Sequence, residues 1–363
     1  MSKKKTAIYY SGATDVTGKA LADALGITGA KAKPTKAFEL VFGWGAKTKE
    51  ATNFPAGTTV LNHPDNIRNN RNKLKTLELL QEAKVNVAAF VSAEKVLAEL
   101  KKKKPALKLP LVGRTKFHQG GKGFWMCNTE GQIKDAIGKG AQYFQNYIGI
   151  KNEYRLHVFK DTVIYAQKKA QRDNMEAAFS AQYGDKIKAA AEKSGQKLDE
   201  ATLNYALGQV SKRVMPEPDM HIRSNTRGWK FISVKPLGLG QEFRNLAIKA
   251  VKAVGLDFGA VDCCVDEEGD SYVIEINSGP GLEKTAFDKY VEAFEGVIKD
   301  NFEPKKAVGV QKKVAAVATQ AAPTPGSAKA RLASKAALMA EMIGAADENE
   351  AAALESVFGK MFR

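Results

Sequence analysis

Three side chains close together in the sequence are of types that bind hard cations: Asp262 in FGAVDCCV, and Glu275 and Asn277 in SYVIEINSGPGLEKT. Alternate residues of a strand share a face, so Glu275 and Asn277 point the same way. The link DEEGD reads as a hairpin turn, which lets Asp262 fall beside Glu275 on the paired strand. Two carboxylates and an amide oxygen suit magnesium, which keeps waters and is shared with nucleotide phosphates. An unpaired buried carboxylate is costly, so either a cation neutralises the cluster or the face is an exposed polar one. Spacing alone leaves both open.

Two other stretches carry groups suited to anions. In RTKFHQGGKGF, residues 114–124, glycines let backbone N–H groups approach phosphate oxygens and basic side chains add charge, although a flexible turn has the same composition. In HIRSNTRGW, residues 221–229, Arg223, Asn225 and Arg227 crowd a short segment. That is either a solvated basic loop or a clamp on a transferring phosphoryl group. SGATDVTGKA does not make a P-loop: five residues separate Gly12 from Gly18 rather than four, and Ala20 stands where Ser or Thr would meet magnesium.

Apolar patterning predicts the elements that position these groups. TAIYYS, FELVFGW and TTVLN read as strands around an amphipathic helix from Val16 to Leu25, an α/β opening domain over residues 1–91. IRNNRNKLKTLELLQEAK reads as one helix before a short strand, and a lysine-rich helical stretch reaches residue 104. LPLVGRTKFHQGGKGFWMC reads as strand, glycine loop, strand, followed by a helix over 130–139. AQYFQNYI, YRLHVFK and TVIYAQKK alternate as antiparallel strands with one covered face. Residues 172–220, rich in Ala, Lys, Glu and Gln, read as a helical insertion. A strand (GWKFISV), a helix over 240–254, the FGAVDCCV–SYVIEIN hairpin and a helix over 285–300 complete a second domain spanning 92–303. Residues 304–334 have the composition of a flexible basic linker. Residues 335–363 suit a helical hairpin with Leu354, Val357, Phe358, Met361 and Phe362 on one face. The hairpin is too small to fold alone and is expected to dock on its own body, or on a second subunit or partner.

The formal net charge of +16 over 363 residues favours a polyanionic partner, such as an acidic peptide, a small carboxylate or nucleic acid, although solubility alone would also account for it. Three cysteines without CxxC spacing suggest reduced thiols and a cytoplasmic setting. No apolar run is long enough to span a bilayer, and the basic N-terminus leads into a first strand rather than a signal peptide.

In this order the three pieces resemble the ATP-grasp carboxylate–amine ligases, in particular the RimK-like glutamate ligases. The likeness is strongest over GLDFGAVDCCVDEEGDSYVIEINSGPGLE, where that family has Gly-Leu-Asp, Val-Asp and Glu-Val-Asn-x-x-Pro-Gly-Leu-Glu. It implies an α/β (α+β) ATP-grasp fold, with an N-terminal α/β domain and two α+β lobes clasping ATP. It also implies that Asp262, Glu275 and Asn277 hold two magnesium ions, with manganese as a substitute, and that Arg223 and Asn225 lie beside the γ-phosphate. Gly121 and Gly123 match the phosphate-covering loop, which Arg114 opens in place of the usual lysine. Gln145, Asn146, Tyr147 and Ile148 match the adenine hinge, with Asn146 where an acid is common, and Glu153 matches a ribose contact. Lys73 matches a lysine on the helix before the lobes, Lys168 is carried over as a nucleotide contact, and Arg155 faces substrate or phosphates. The family often self-associates, so a homo-oligomer is implied as well.

The implied reaction is ATP-dependent amide formation through an acyl phosphate, releasing ADP and phosphate. The rival reading is a nucleic-acid-binding protein with a regulatory or vestigial ATP site, which the charge favours. The carboxylate and the amine are not specified by the sequence.

Overall fold

A computed structural model describes residues 5–302, apart from 13–14, 32–37, 47, 49–51, 119–120, 174–183, 185–187, 189–198, 206–207 and 209–217. The linker and hairpin expected over 304–363 therefore lie outside the described residues, as does most of the expected insertion. Residues 1–169 and 231–307 gather into one compact unit, and residues 170–230 belong to a second.

The first sheet is parallel, in the order β2-β1-β3-β4, built from β1 (Thr6–Tyr10), β2 (Thr28–Ala30), β3 (Leu40–Trp44) and β4 (Thr59–Leu61). Every residue of β1 and β3 is buried, as expected of a parallel strand covered on both faces. Helix α1 (Val16–Leu25) starts at Asp15, whose side chain accepts from the Gly18 N–H at 2.9 Å. The glycine stretch that fails as a P-loop is therefore a helix cap.

The helix expected after β4 is two, α2 (Pro64–Arg71) and α3 (Lys73–Glu82). Asn72 breaks it with an extended backbone, and its side chain caps α3 by accepting from the Lys75 N–H at 3.2 Å. Lys73 thereby becomes the first residue of α3. Next come β5 (Phe90–Ser92), α4 (Val96–Leu100), β6 (Leu111–Arg114), β7 (Phe124–Cys127), α5 (Glu130–Gly138) and β8 (Tyr143–Asn146). Their antiparallel sheet runs β5-β8-β6-β7, so β5 pairs with β8 and does not close the first domain. Leu111, Cys127 and Phe144 pack on Ile133 and Ala136 of α5. By alternation, Val112, Arg114, Met126, Tyr143 and Gln145 occupy the other face.

The third sheet runs β11-β10-β9-β12-β13, from β9 (Ile150–Phe159), β10 (Thr162–Gln171), β11 (Trp229–Val234), β12 (Phe258–Asp266) and β13 (Ser271–Asn277). Helix α6 (Gln241–Ala253) contributes Ala247, Ala250 and Val251 to a core with Leu156, Val158, Val261, Cys263, Val273 and Ile276. Val273 and Ile276 are three apart, yet both enter this core. The reason is a β-bulge: Asp262 opposes Glu275, but Cys263 opposes Val273, leaving Ile274 as the extra residue. The bulge turns Glu275 and Asn277 onto the opposite face, away from the helix.

Helix α7 (Lys284–Phe302) stacks Phe294 on Phe42 of the first sheet, with ring centroids 4.2 Å apart. The turn before it meets the end of β3, where the Gly45 N–H donates to the Ser278 carbonyl at 3.2 Å. A Cβ on Gly279 would stand 2.7 Å from the Gly45 nitrogen, so this approach of two backbones requires glycine. Gly279→Ala is expected to destabilise the chain by about 1–3 kcal/mol in urea unfolding. Gly281→Ala should change little, because a Cβ there meets nothing within 4 Å.

Candidate functional site

The strand register brings the predicted carboxylates together. Asp262 on β12 lies directly across from Glu275 on β13, and Asn277 follows on the same face opposite Ala260. Opposed like charges repel, so each has acquired a cation. Arg155, across from Asp262 on β9, donates to both of its oxygens, Nε to Oδ1 at 2.7 Å and Nη2 to Oδ2 at 2.8 Å. Lys73 pairs with Glu275 at 2.7 Å. The cap at Asn72 and the bulge at Ile274 are what allow that second pair to form.

These cations decide the charge state. Burial is the largest influence on Asp262 and pushes its carboxyl up, but the charge and hydrogen bonds of Arg155, aided by Lys169, hold it below the ordinary value. Burial likewise raises the Glu275 carboxyl and the Asp262 charge adds to that, yet Lys73 brings it below its ordinary value, with help from His118. Both groups are anionic at neutral pH.

The same face continues across the sheet. Glu153, expected at a ribose, is buried and paired with Lys169, a residue the sequence reading passed over. The ring of Phe231 on β11 carries Arg155 at 4.6 Å and Lys169 at 5.6 Å from its centre. Lys168 does not join them. It alternates to the helix-covered face, where its ammonium lies 5.9 Å from the centre of the Tyr154 ring, and Tyr154 packs on Phe243 of α6. The expected nucleotide contact at Lys168 is corrected accordingly, and Lys169 is the lysine on the site face.

Electrostatic influence links Glu275 to Arg114 and His118, at the start of the glycine loop. Arg114 ends β6 with its guanidinium 5.4 Å from the centre of the Phe124 ring, and its Nε is buried without a partner among the described residues. Burial lowers its affinity for a proton, and the neighbouring Glu275 charge opposes this. His118, with Nδ1 2.7 Å from the Thr115 carbonyl oxygen, is pushed down to about 4 by burial and by Arg114. Gly121 and Gly123 have φ of 79° and 60°, the left-handed region that favours glycine. The hinge requires a correction. Gln145 is paired on both sides, with Phe90 and Val112, and the Asn146 N–H donates to the Ala89 carbonyl at 2.9 Å. The Asn146 side chain is also used, accepting from Lys108 N–H at 2.9 Å and donating to the Ala106 carbonyl at 3.2 Å. The Tyr147 N–H is engaged as well, donating to the Pro110 carbonyl at 3.2 Å.

Arg223 and Asn225 belong to the second unit. There the Arg223 guanidinium lies 4.6 Å from the centre of the Trp229 ring, and Arg172 donates to the Asn225 side-chain oxygen. Arg227 pairs with Asp219 at 3.3 Å. With its oxygen bonded to Arg172, Asn225 keeps its NH2 as a donor.

Residues 213–299, which include Arg223, Asn225, Asp262, Glu275 and Asn277, match the model of the RimK-like ATP-grasp domain. The D-alanine–D-alanine ligase of Bacillus anthracis superposes with a TM-score of 0.50 at 11% identity, over 82% of this chain and 94% of that one. The chain shares the fold of that ligase, and its residues 213–299 are similar to the RimK-like ATP-grasp domain. The N5-carboxyaminoimidazole synthetase of Staphylococcus aureus complexed with ADP superposes with a TM-score of 0.49 at 14% identity, over 79% of this chain and 69% of that one. The ATP-grasp ligase PsnB complexed with minimal precursor gives 0.48 at 12% identity, over 81% and 98%. No curated protein matches the chain. No helix among the described residues is long and apolar enough to cross a membrane.

The Asp262–Glu275–Asn277 face fits magnesium in its donor chemistry. Among the described residues no three His, Cys, Asp or Glu side chains form a metal cage by themselves. Two carboxylates and one amide oxygen leave coordination positions to water and phosphate, the arrangement magnesium prefers. A carboxylate accepts at about four lone-pair sites, so Asp262 can keep Arg155 and still meet a cation.

Lys73→Met tests the charge balance. Because the folded Glu275 carboxyl lies below its ordinary value of 4.5, its contribution to stability is present above that value and is lost as pH falls through the folded one. Without Lys73, burial and Asp262 should raise the carboxyl instead. The variant is expected to lose about 1–3 kcal/mol at pH 7 and less at pH 5, where Glu275 can take up a proton. Urea unfolding at the two pH values checks this; an equal loss at both would show that Lys73 does not neutralise Glu275.

Proposed function

We propose that the protein is an ATP-dependent carboxylate–amine ligase. The observation that carries the reading is the opposed pair Asp262–Glu275 with Asn277 on its face, inside the segment that matches the RimK-like domain. Asp262, Glu275 and Asn277 would hold two magnesium ions. Bound there, magnesium would neutralise phosphate charge and act as a Lewis acid on the phosphoryl group.

The substrate carboxylate attacks the γ-phosphorus of ATP, the bond to the β–γ bridging oxygen breaks, and ADP leaves with that electron pair. An amine then attacks the resulting acyl phosphate, forming the amide and releasing phosphate. Neither step needs a protein nucleophile, so positioning and electrostatics carry the rate. Arg155 is assigned to the face where the two substrates meet. Arg114 and the Gly121–Gly123 backbone are assigned to the phosphates and Tyr147–Ile148 to adenine. On the family match alone, Arg223 and Asn225 are assigned to the charge that spreads over the transferring group. The +16 charge supports an acidic peptide, a small carboxylate or a nucleic acid as a substrate.

Phosphate release from Mg-ATP, with pooled amino acids, acidic peptides or nucleic acid as acceptor, tests this. Turnover should require one acceptor pool and fall by about a hundredfold or more in Glu275→Gln. Salt-sensitive nucleic-acid binding with no turnover from any pool would favour a regulatory ATP site instead.

A further inference from the structure

On the site face, two residues along β9 from Arg155, stands a group that the proposed chemistry leaves unused. His157 is 1% exposed and its Nδ1 has no partner among the described residues. A buried polar atom without a partner is uncommon in a folded chain and calls for a reason. The hydroxyl of Tyr290, fully buried on α7, is a second such atom, and the two rings stand edge to face with centroids 5.7 Å apart. The charge of Arg155 acts on both side chains.

The partners of His157 determine which nitrogen carries its proton. Gln167 on β10 lies between His157 and the exposed Glu283: its Nε2 donates to Glu283 Oε2 at 3.3 Å, and its Oε1 lies 3.3 Å from His157 Nε2. A carboxylate can only accept, so the amide cannot turn round without setting two acceptors against each other. Its oxygen therefore faces the imidazole, and His157 Nε2 must be the N–H. Burial pushes the ring down to about 4, so it is neutral at physiological pH. Nδ1 is then a bare lone pair directed by a carboxylate–amide–imidazole chain. An anionic carboxylate would be repelled by it, whereas an N–H group would satisfy it.

We propose that His157, oriented by Gln167 and Glu283 and accompanied by Tyr290, forms the subsite for the acceptor amine, with Nδ1 accepting an amine N–H. This rests on the ligase reading and names the residues that receive its second substrate. The contact is non-covalent, and it orients the amine beside the Arg155–Asp262 pair. Burial suits the role, because an acyl phosphate must be kept from water while the amine attacks.

Glycinamide, an amine with no carboxylate, is a suitable probe for the full chain labelled with 15N-histidine. In the free chain His157 should be the Nε2–H tautomer, and glycinamide should move the Nδ1 resonance. Calorimetry should show glycinamide binding weakened about tenfold in His157→Phe and restored in His157→Asn, whose amide oxygen can replace Nδ1. If His157→Phe does not fold, Glu283→Ala on the exposed end of the chain serves, with a mixture of tautomers expected. A proton on Nδ1 in the free chain, or a resonance that glycinamide leaves in place, would overturn the subsite. Mg-ATP binding, measured in parallel, separates the two ideas. If Mg-ATP binds while His157 is unmoved, the subsite alone fails. If Mg-ATP does not bind, the ligase reading fails, and the glycinamide response still decides whether an amine site exists.

Discussion

Two carboxylates held opposite each other on adjacent strands are the constraint on which the rest of the site depends. Asp262 and Glu275 repel, and Asp262 is buried. Such a pair persists only if cations are fixed nearby at hydrogen-bonding range. The chain supplies one from each side: Arg155 from the neighbouring strand and Lys73 from the first residue of a helix. Each of those cations is in turn held. Phe231 lies under Arg155, and the N–H of Lys73 donates to the Lys116 carbonyl at 2.8 Å, close to the glycine loop.

The same requirement explains why distant parts of the sequence meet at one face. Opposite charges pair along it, Glu153 with Lys169, Asp262 with Arg155 and Glu275 with Lys73, and removing any member would leave its partner uncompensated. The aromatic ring of Phe231 lets two cations stand close together without a further acid between them. His157 and Gln167 extend the polar face beyond this ladder, toward the turn that follows β13.

Much of this was legible in the sequence, for definite reasons. Continuous apolar runs announced β1 and β3, and period-2 alternation announced β9 and β10. Asp262, Glu275 and Asn277 stood out because a strand that otherwise reads as buried has no ordinary use for them. The bulge at Ile274 was not legible, since one extra residue leaves composition unchanged and alternation alone would have placed Val273 beside Glu275. The Asn72 break was hidden inside a continuous helical pattern. Lys168 and Lys169 are chemically identical neighbours, and only the register of β10 against β9 decides which one faces the site.

The sequence by itself determined the kinds of element, the oxygen-rich cluster and the net charge of +16, because these follow from local periodicity and residue chemistry. Only the tertiary structure decided which cation meets which carboxylate, and that Gln145 and Asn146 are engaged within their sheet. It also decided that the lone pair of His157 is left bare. Those outcomes depend on contacts between residues far apart in the sequence, such as Asn146 with Ala89, Arg155 with Asp262 and Gln167 with Glu283. Local periodicity carries no information about such pairs; register, bulges and packing do.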